Sequence, residues 1–321
     1  MKKKAILLIC LAAGIGAFAY FVKTADFSQT WENILAMHWW QWAIILALHA
    51  GILAVGAARW KILLASMAPQ AKYTDLLSAY FVSYGIAFFA PPMAIAGEFL
   101  KAYVIKDKYE MDYQKALSTV VLDKLLIGLL VVPTAAASFL YFFVKSKMIL
   151  WFGLAVVFFL PVLAFMKIMK WNTGVTNIQR AEEGVVKKFV AKIKTVVEFL
   201  RGRKFFDEVA VLTLIEFSLA LTHSWFMSWF LVGNQLKISQ TFFVLGFSYL
   251  SNLFLVPGGL GSLEALQTFA FKNIVSRPEM SIGYAIIART SEMTMAIIGV
   301  ALLLAFYVDK AYKALADYDQ S

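Results

Sequence analysis

The chain has 321 residues, of which 61% are hydrophobic, and it carries a formal net charge of +10. Soluble domains of this size contain more charged residues and fewer long apolar segments, so the composition excludes an ordinary soluble protein and indicates an integral membrane protein. The positive charge does not indicate nucleic-acid binding, because Lys and Arg collect in loops on one side of the predicted membrane.

The first predicted element is an apolar helix over residues 5–22, preceded by three lysines. A cleaved signal peptide is the alternative, since Ala17-Phe18-Ala19 resembles a cleavage site. The apolar segment is longer than the usual signal-peptide core, which favours a retained helix. Residues 1–38 are therefore predicted to form an N-terminal signal-anchor helix and a loop.

Further apolar segments reach or approach the roughly 20 residues that a helix needs to cross the hydrocarbon core. They lie at residues 39–58, 75–90, 116–144, 148–166, 208–232, 241–256 and 282–307. Two shorter segments, 93–104 and 259–271, follow proline breaks and are too short to span alone. The sequence predicts an all-α polytopic membrane protein with about seven or eight spanning helices and two re-entrant half-helices.

One long polar segment, residues 167–207, separates two groups of helices. Its apolar residues recur at helical spacing, with lysines largely off that stripe. This predicts either a basic amphipathic helix on anionic lipid headgroups at the cytoplasmic surface or a solvated connecting helix. The predicted organisation is a first half at 39–166, this segment, a second half at 208–307 and a cytoplasmic tail at 308–321.

The distribution of positive charge predicts the orientation in the membrane. With both short segments re-entrant, 22 Lys and Arg residues lie on the cytoplasmic side and six on the other. If both short segments crossed fully, the basic residues from Lys101 to Lys115 would move outside. The re-entrant arrangement is therefore favoured, with both termini in the cytoplasm and the protein in a bacterial cytoplasmic (inner) membrane.

The two halves are related by a displacement of 165 residues. It aligns "SYGIAFFAPPMAIAGEFLKAY" (83–103) with "SYLSNLFLVPGGLGSLEALQT" (248–268) and places Pro92 on Pro257. It also places Lys124 on Arg289. On the predicted topology the two breaks enter from opposite faces, so the repeat is inverted. Folds of this kind often bind substrate between their halves.

The second break contains Pro257, Gly258, Gly259 and Gly261. Proline removes a backbone donor and glycine lowers helix stability, so the break frees backbone groups that protein, water or ligand must satisfy. Amides near Gly261, at the start of the next helix, are candidates for binding a phosphate. The alternative is a tight turn that lets helices pack closely.

Four charged residues lie within or beside apolar segments: Glu98, Lys124, Glu264 and Arg289. Such charges are costly in a bilayer unless they are paired or hydrated. We expect acid–base pairs, either within each half or across the pseudo-twofold axis, around a central cavity where the two cations bind a phosphate. Structural ion pairs or snorkelling side chains are the alternative.

Other polar residues are weaker candidates. Lys101 is placed to reach lipid phosphate at the cytoplasmic surface, and Arg59 is most simply an interfacial anchor beside a tryptophan. Asn252 would bond either a ligand or free backbone. Glu216 and His223, two turns apart, would form either a proton relay or a packed polar pair.

Metal and cofactor chemistry finds no support in the sequence. The single Cys10 allows no disulfide or thiolate metal site within the chain. His38, His49 and His223 are too scattered to suggest a metal cluster. No cofactor and no metal are therefore predicted.

Several motifs together resemble the lysylphosphatidylglycerol synthetase transmembrane-domain family of flippase-like integral membrane proteins. They are "RW" at Arg59-Trp60, "PMAIAGEFLKAY" with Pro92, Gly97, Glu98 and Lys101, "LDK" at 122–124, and "PGGLGSLE" with Pro257, Gly258, Gly259, Gly261 and Glu264. Arg289 matches a basic position of the family's last helical region. The resemblance covers roughly residues 45–307. The family often has arginine where Lys101 and Lys124 stand.

This resemblance implies a translocation module and not aminoacyl transfer, because the sequence up to Ser321 leaves no room for the soluble transferase domain. We expect a non-enzymatic translocase for an anionic phospholipid or a polyprenyl-phosphate-linked lipid. Its partners would be a membrane lipid or lipid-linked glycan and no nucleic acid, and a homo-oligomer is compatible with it. The alternatives are a membrane-embedded enzyme acting on a lipid phosphate and a structural or regulatory subunit of envelope-glycan assembly.

Overall fold

The computed structural model describes residues 32, 34–65, 67–89, 94–144, 205–232, 236–252, 261–276 and 280–306. Several predicted features lie outside these residues. They are the helices at 5–22 and 148–166, most of the polar segment at 167–207, the C-terminal tail, and Pro92, Pro257, Gly258 and Gly259.

The described residues form eight α-helices and no strand. These are α1 (Trp39–Leu64), α2 (Tyr73–Phe89), α3 (Ala94–Tyr109), α4 (Tyr113–Val144), α5 (Phe205–Val232), α6 (Ile238–Ser251), α7 (Ser262–Ala270) and α8 (Ser281–Phe306). A π-helical segment, Phe271–Val275, continues α7. Helices α1, α4, α5 and α8 are long and apolar enough to cross a membrane. The protein is an all-α polytopic membrane protein, as the sequence predicts.

The two short helices extend further than their apolar segments predict. Helix α3 continues to Tyr109 and carries Lys106 and Lys108 in its last turn, where positive charge favours the carbonyl end of a helix. Glu110, with a φ of 52°, ends it. The segment after the second break likewise reaches Val275 through the π-helical turn. Hydropathy alone marks only the apolar part of each helix.

The helices of the two halves correspond at a nearly constant displacement. Helices α1, α2, α3 and α4 begin 166, 165, 168 and 168 residues before α5, α6, α7 and α8, respectively. A single displacement of the sequence therefore aligns every described helix of the first half with one of the second.

Helix contacts follow the same correspondence. The equivalent helices α1 and α5 pack along each other. Helix α2 packs along α8 of the other half, and α6 packs along α4. Within each half, the short helix contacts the helix before it and the helix after it. The halves therefore exchange equivalent contacts, as two related units do around a pseudo-twofold axis.

The start of the second helix in each half is bonded to the end of its short helix. Asp75 accepts a hydrogen bond of 2.5 Å from the hydroxyl of Tyr109. Gln240 donates one of 3.3 Å to the carbonyl of Ile274. Both partners in the second half lie 165 residues after those in the first, so the halves repeat this tertiary link with different side chains.

Glycines allow the helices of the two halves to approach closely. A Cβ on Gly85 of α2 would lie 2.7 Å from the carbonyl oxygen of Ala296 in α8. A Cβ on Gly246 of α6 would lie 2.7 Å from the carbonyl oxygen of Thr134 in α4. Small residues at such crossings are typical of membrane helices, whose association depends on close packing.

Candidate functional site

Each half contains an acid–base pair between its short helix and its last helix. In the first half Lys124 Nζ lies 2.9 Å from Glu98 Oε1. In the second half Arg289 Nε lies 3.4 Å from Glu264 Oε1. Of the two arrangements that the sequence left open, the structure therefore has pairing within each half.

Arg59 is buried in a charged network, with 1% of its side chain exposed, and is not an interfacial anchor. Its Nε and Nη2 both lie 2.8 Å from Asp123 Oδ1. Its Nη1 donates to Glu216 of α5. Tyr80 donates its hydroxyl to the other oxygen of Asp123. The planar guanidinium serves two carboxylates from different helices, which a lysine cannot do in the same geometry.

Lys101 is also buried and does not reach the cytoplasmic surface. Its Nζ lies 3.0 Å from Glu98 Oε2 and 3.5 Å from Asp123 Oδ2. It stands 3.9 Å from the centroid of the Tyr80 ring. The ammonium is therefore held by two carboxylates and a cation–π contact. Asp123, which the sequence assigned to neutralise Lys124, instead accepts bonds from Arg59 and Tyr80.

Glu264 acts as an internal anion at the start of α7. The backbone N–H of Gly261 donates to Glu264 Oε2 at 2.7 Å, and the side chain of Glu264 is 1% exposed. Gly261 has a φ of 79°, which favours glycine at this position. The sequence predicted a phosphate at these amides, but the chain's own carboxylate takes the Gly261 donor. Arg289 also pairs with Glu292 at 3.2 Å, as the sequence predicts.

A cavity of about 210 Å³ lies between the two halves. Its lining comes from every described helix except α3. The polar residues of the lining are His49, Tyr84, Glu216, His223, Ser224, Ser248, Tyr249, Asn252, Tyr284 and Glu292. A polar cavity at the contact of two halves is where transporter-like folds bind substrate.

The central cavity is lined by carboxylates, hydroxyls and imidazoles, and no Lys or Arg is among the described residues that line it. Glu216 connects the cavity to Arg59, and Glu292 connects it to Arg289. The cations that the sequence placed in the cavity therefore lie behind its carboxylates. Lys124 lies further out, with 51% of its side chain exposed.

Two histidines in the cavity share one hydroxyl. His49 Nδ1 lies 2.6 Å from Ser291 Oγ, which lies 3.3 Å from His223 Nε2. The two rings are 5.2 Å apart. Sequence reasoning missed this group because its members are far apart in the chain. Among the residues described, no three potential ligands are grouped to hold a metal ion.

Tyr84 and Tyr249 line the cavity from equivalent positions of α2 and α6. Sequence reasoning did not assign them a role, although the 165-residue displacement aligns them. Their neighbours are also used alike: Ser83 donates to Glu98 at 3.4 Å, and Ser248 accepts from Gln267 at 2.6 Å. Asn252, the other candidate of this region, follows α6 at the edge of the cavity.

A comparison with known protein families gives one match. The family described as the lysylphosphatidylglycerol synthase transmembrane region matches residues 5–308.

The chain belongs to this family.

The match covers both halves and the segment between them, which confirms the resemblance seen in the motifs. Comparisons with curated proteins and with solved structures found no significant match. Membership of this family associates the chain with membrane-lipid functions. The substrate and mechanism of this chain are treated as proposals below.

Proposed function

We propose that the protein is a lipid translocase, which moves the headgroup of an anionic phospholipid or of a polyprenyl-phosphate-linked lipid through the central cavity. The observation that carries this proposal is the polar cavity between two corresponding halves. A headgroup in the cavity would meet hydrogen-bonding groups, while the acyl or prenyl chains stayed in the bilayer. Membership of a lipid-related membrane family supports the same function.

The cations take part by exchanging partners. Arg289 is held by Glu264 and Glu292, and Glu292 faces the cavity. A phosphate arriving at the cavity would compete with these carboxylates for the guanidinium, which binds phosphate in bidentate geometry. Breaking the bond to Glu264 would release α8 from α7. Glu98 and Lys124 would act in the same way in the first half, with Lys124 as the more exposed contact.

The two halves are proposed to have opposite orientations in the membrane, with α3 and α7 as parts of re-entrant segments. The reciprocal contacts of α2 with α8 and of α6 with α4 support a twofold relationship. The count of basic residues supports cytoplasmic termini. Cysteine accessibility at Lys106 and Lys272 tests this topology: labelling of both from the same side would contradict it.

Reconstituted vesicles test the transport proposal. A labelled anionic phospholipid and a labelled polyprenyl phosphate are added separately, and the fraction accessible to a quencher outside the vesicle is followed. We expect the protein to accelerate exchange of one of them over empty vesicles. If neither lipid exchanges faster, the transport proposal is wrong. A chemically altered lipid would instead support an enzyme.

Two matched pairs of variants test the site. The double variant Lys124→Gln/Arg289→Gln should abolish exchange, while Lys61→Gln/Lys115→Gln, which removes two exposed charges, should not. Ala220→Phe fills the cavity and should slow exchange, whereas Ser218→Phe, on the exposed side of the same helix, should not. Wild-type exchange in the first variant of either pair would refute that part of the site.

A further inference from the structure

A second and larger cavity, of about 450 Å³, lies at one end of the helix bundle. It is formed by the first turns of α2, the outer half of α3 and the last turns of α8. It shares no lining residue with the central cavity. The lining residues of α3, from Leu100 to Lys108, recur at helical spacing, so one face of that helix forms a continuous wall.

The lining changes from apolar to charged along this wall. Leu100 and Val104 lie toward the middle of the bundle together with Leu302 of α8, whereas Asp107 and Lys108 lie at the end of α3. The eight-residue rise from Leu100 to Lys108 is about 12 Å. That length covers the passage from hydrocarbon to headgroup depth, since each headgroup region adds roughly 5–8 Å to the core. The cavity therefore has the polarity profile of one phospholipid.

The charges at the polar end are fixed by tertiary bonds. Lys108 Nζ lies 2.7 Å from Asp75 Oδ1, and the hydroxyl of Tyr109 donates to Asp75 Oδ2 at 2.5 Å. Asp75 holds only part of the donor capacity of Lys108, because an ammonium has three N–H groups. With Asp107, the lining has two carboxylates and one ammonium. An anionic headgroup is disfavoured by this balance, and a headgroup that adds an ammonium is favoured.

We propose that this cavity is a binding site for an amine-bearing phospholipid of the phosphoethanolamine class. Its phosphate lies against Lys108, its ammonium donates to Asp107, and an acyl chain packs along Leu100, Val104 and Leu302. The site is separate from the central cavity and does not depend on transport being the protein's function.

Lipid retention measured by native mass spectrometry tests this site. The delipidated full chain is incubated with equal amounts of phosphatidylethanolamine, phosphatidylglycerol and phosphatidylcholine. We expect phosphatidylethanolamine to be retained in preference to both others, because phosphatidylglycerol lacks the ammonium and the quaternary amine of phosphatidylcholine cannot donate to a carboxylate. Asp107→Asn should reduce this preference roughly fivefold, the effect of an exposed charge pair.

Neighbouring residues of α8 provide a matched pair. Leu303→Trp fills the cavity and should abolish preferential retention, whereas Leu304→Trp, whose side chain is 64% exposed outside the lining, should leave it unchanged. Equal retention of the three lipids would mean non-specific annular lipid only and would overturn the proposal. So would preferential phosphatidylglycerol binding, or equal effects of the two tryptophans. If Leu303→Trp does not fold, the Asp107→Asn preference decides alone.

Discussion

Arg59 of α1 and Glu216 of α5 are bonded to each other across the contact between the two halves. The same guanidinium binds Asp123 of α4, and the same carboxylate lines the central cavity. The charged network of the first half therefore reaches the cavity through a residue of the second half. A change at Arg59 would affect both the stability of the bundle and the shape of the cavity.

Arg59→Ala should destabilise the protein by about 3–5 kcal/mol, because it leaves the carboxylates of Asp123 and Glu216 without their shared cation in a buried site. Thermal unfolding in detergent measures the effect. Lys61→Ala, two residues away on the same helix and exposed, is the control and should change the free energy of unfolding by less than about 0.5 kcal/mol. Equal effects of the two changes would contradict the buried network.

Gly85→Ala should destabilise the contact between α2 and α8 by about 1–3 kcal/mol, since the added Cβ meets backbone that cannot move aside. Gly128→Ala is the matched change in α4, where nothing lies within 4 Å of the added atom. That variant should be neutral or more stable by up to about 1 kcal/mol through helix propensity. Comparable losses of stability in both variants would show that Gly85 is not at a close crossing.

Double-mutant cycles should give a larger coupling for Glu264 with Arg289 than for Glu98 with Lys124. The first pair is mostly buried, so we expect a coupling of about 1–3 kcal/mol. Lys124 is half-exposed, and exposed pairs contribute less than about 1 kcal/mol. The cycles use Gln variants and the free energy of unfolding. The reverse order would indicate that Lys124 faces lipid and not water.

Ser291→Ala should destabilise the protein by about 1–3 kcal/mol, because one hydroxyl is bonded to both His49 and His223 in a buried site. Ser218→Ala is the control, since the hydroxyl of Ser218 is exposed and bonds only the carbonyl of Leu214 among its described contacts. Unfolding of both variants is followed in the same detergent. A stability of Ser291→Ala equal to that of the control would mean that the histidines do not depend on the hydroxyl.

Most of the described helices could be predicted from apolar segment length, and the correspondence of the halves could be predicted from one displacement. The pairing of Lys124 with Glu98 and of Arg289 with Glu264 was one of two predicted arrangements. The burial of Arg59 and Lys101 was not predicted. Both residues stand where an interfacial or surface cation is expected from the sequence, and only contacts with Asp123 and Glu216 from other helices explain their positions.

The sequence by itself determined the membrane class, the helices and the repeat, because hydrophobic length and local composition decide these features one segment at a time. Only the tertiary structure decided which charges meet. It brought His49 and His223 to one hydroxyl, placed Glu216 between Arg59 and the cavity, and closed the Gly261 amide with Glu264. These relationships depend on distances between helices far apart in the chain, and the pattern of a single segment does not contain those distances.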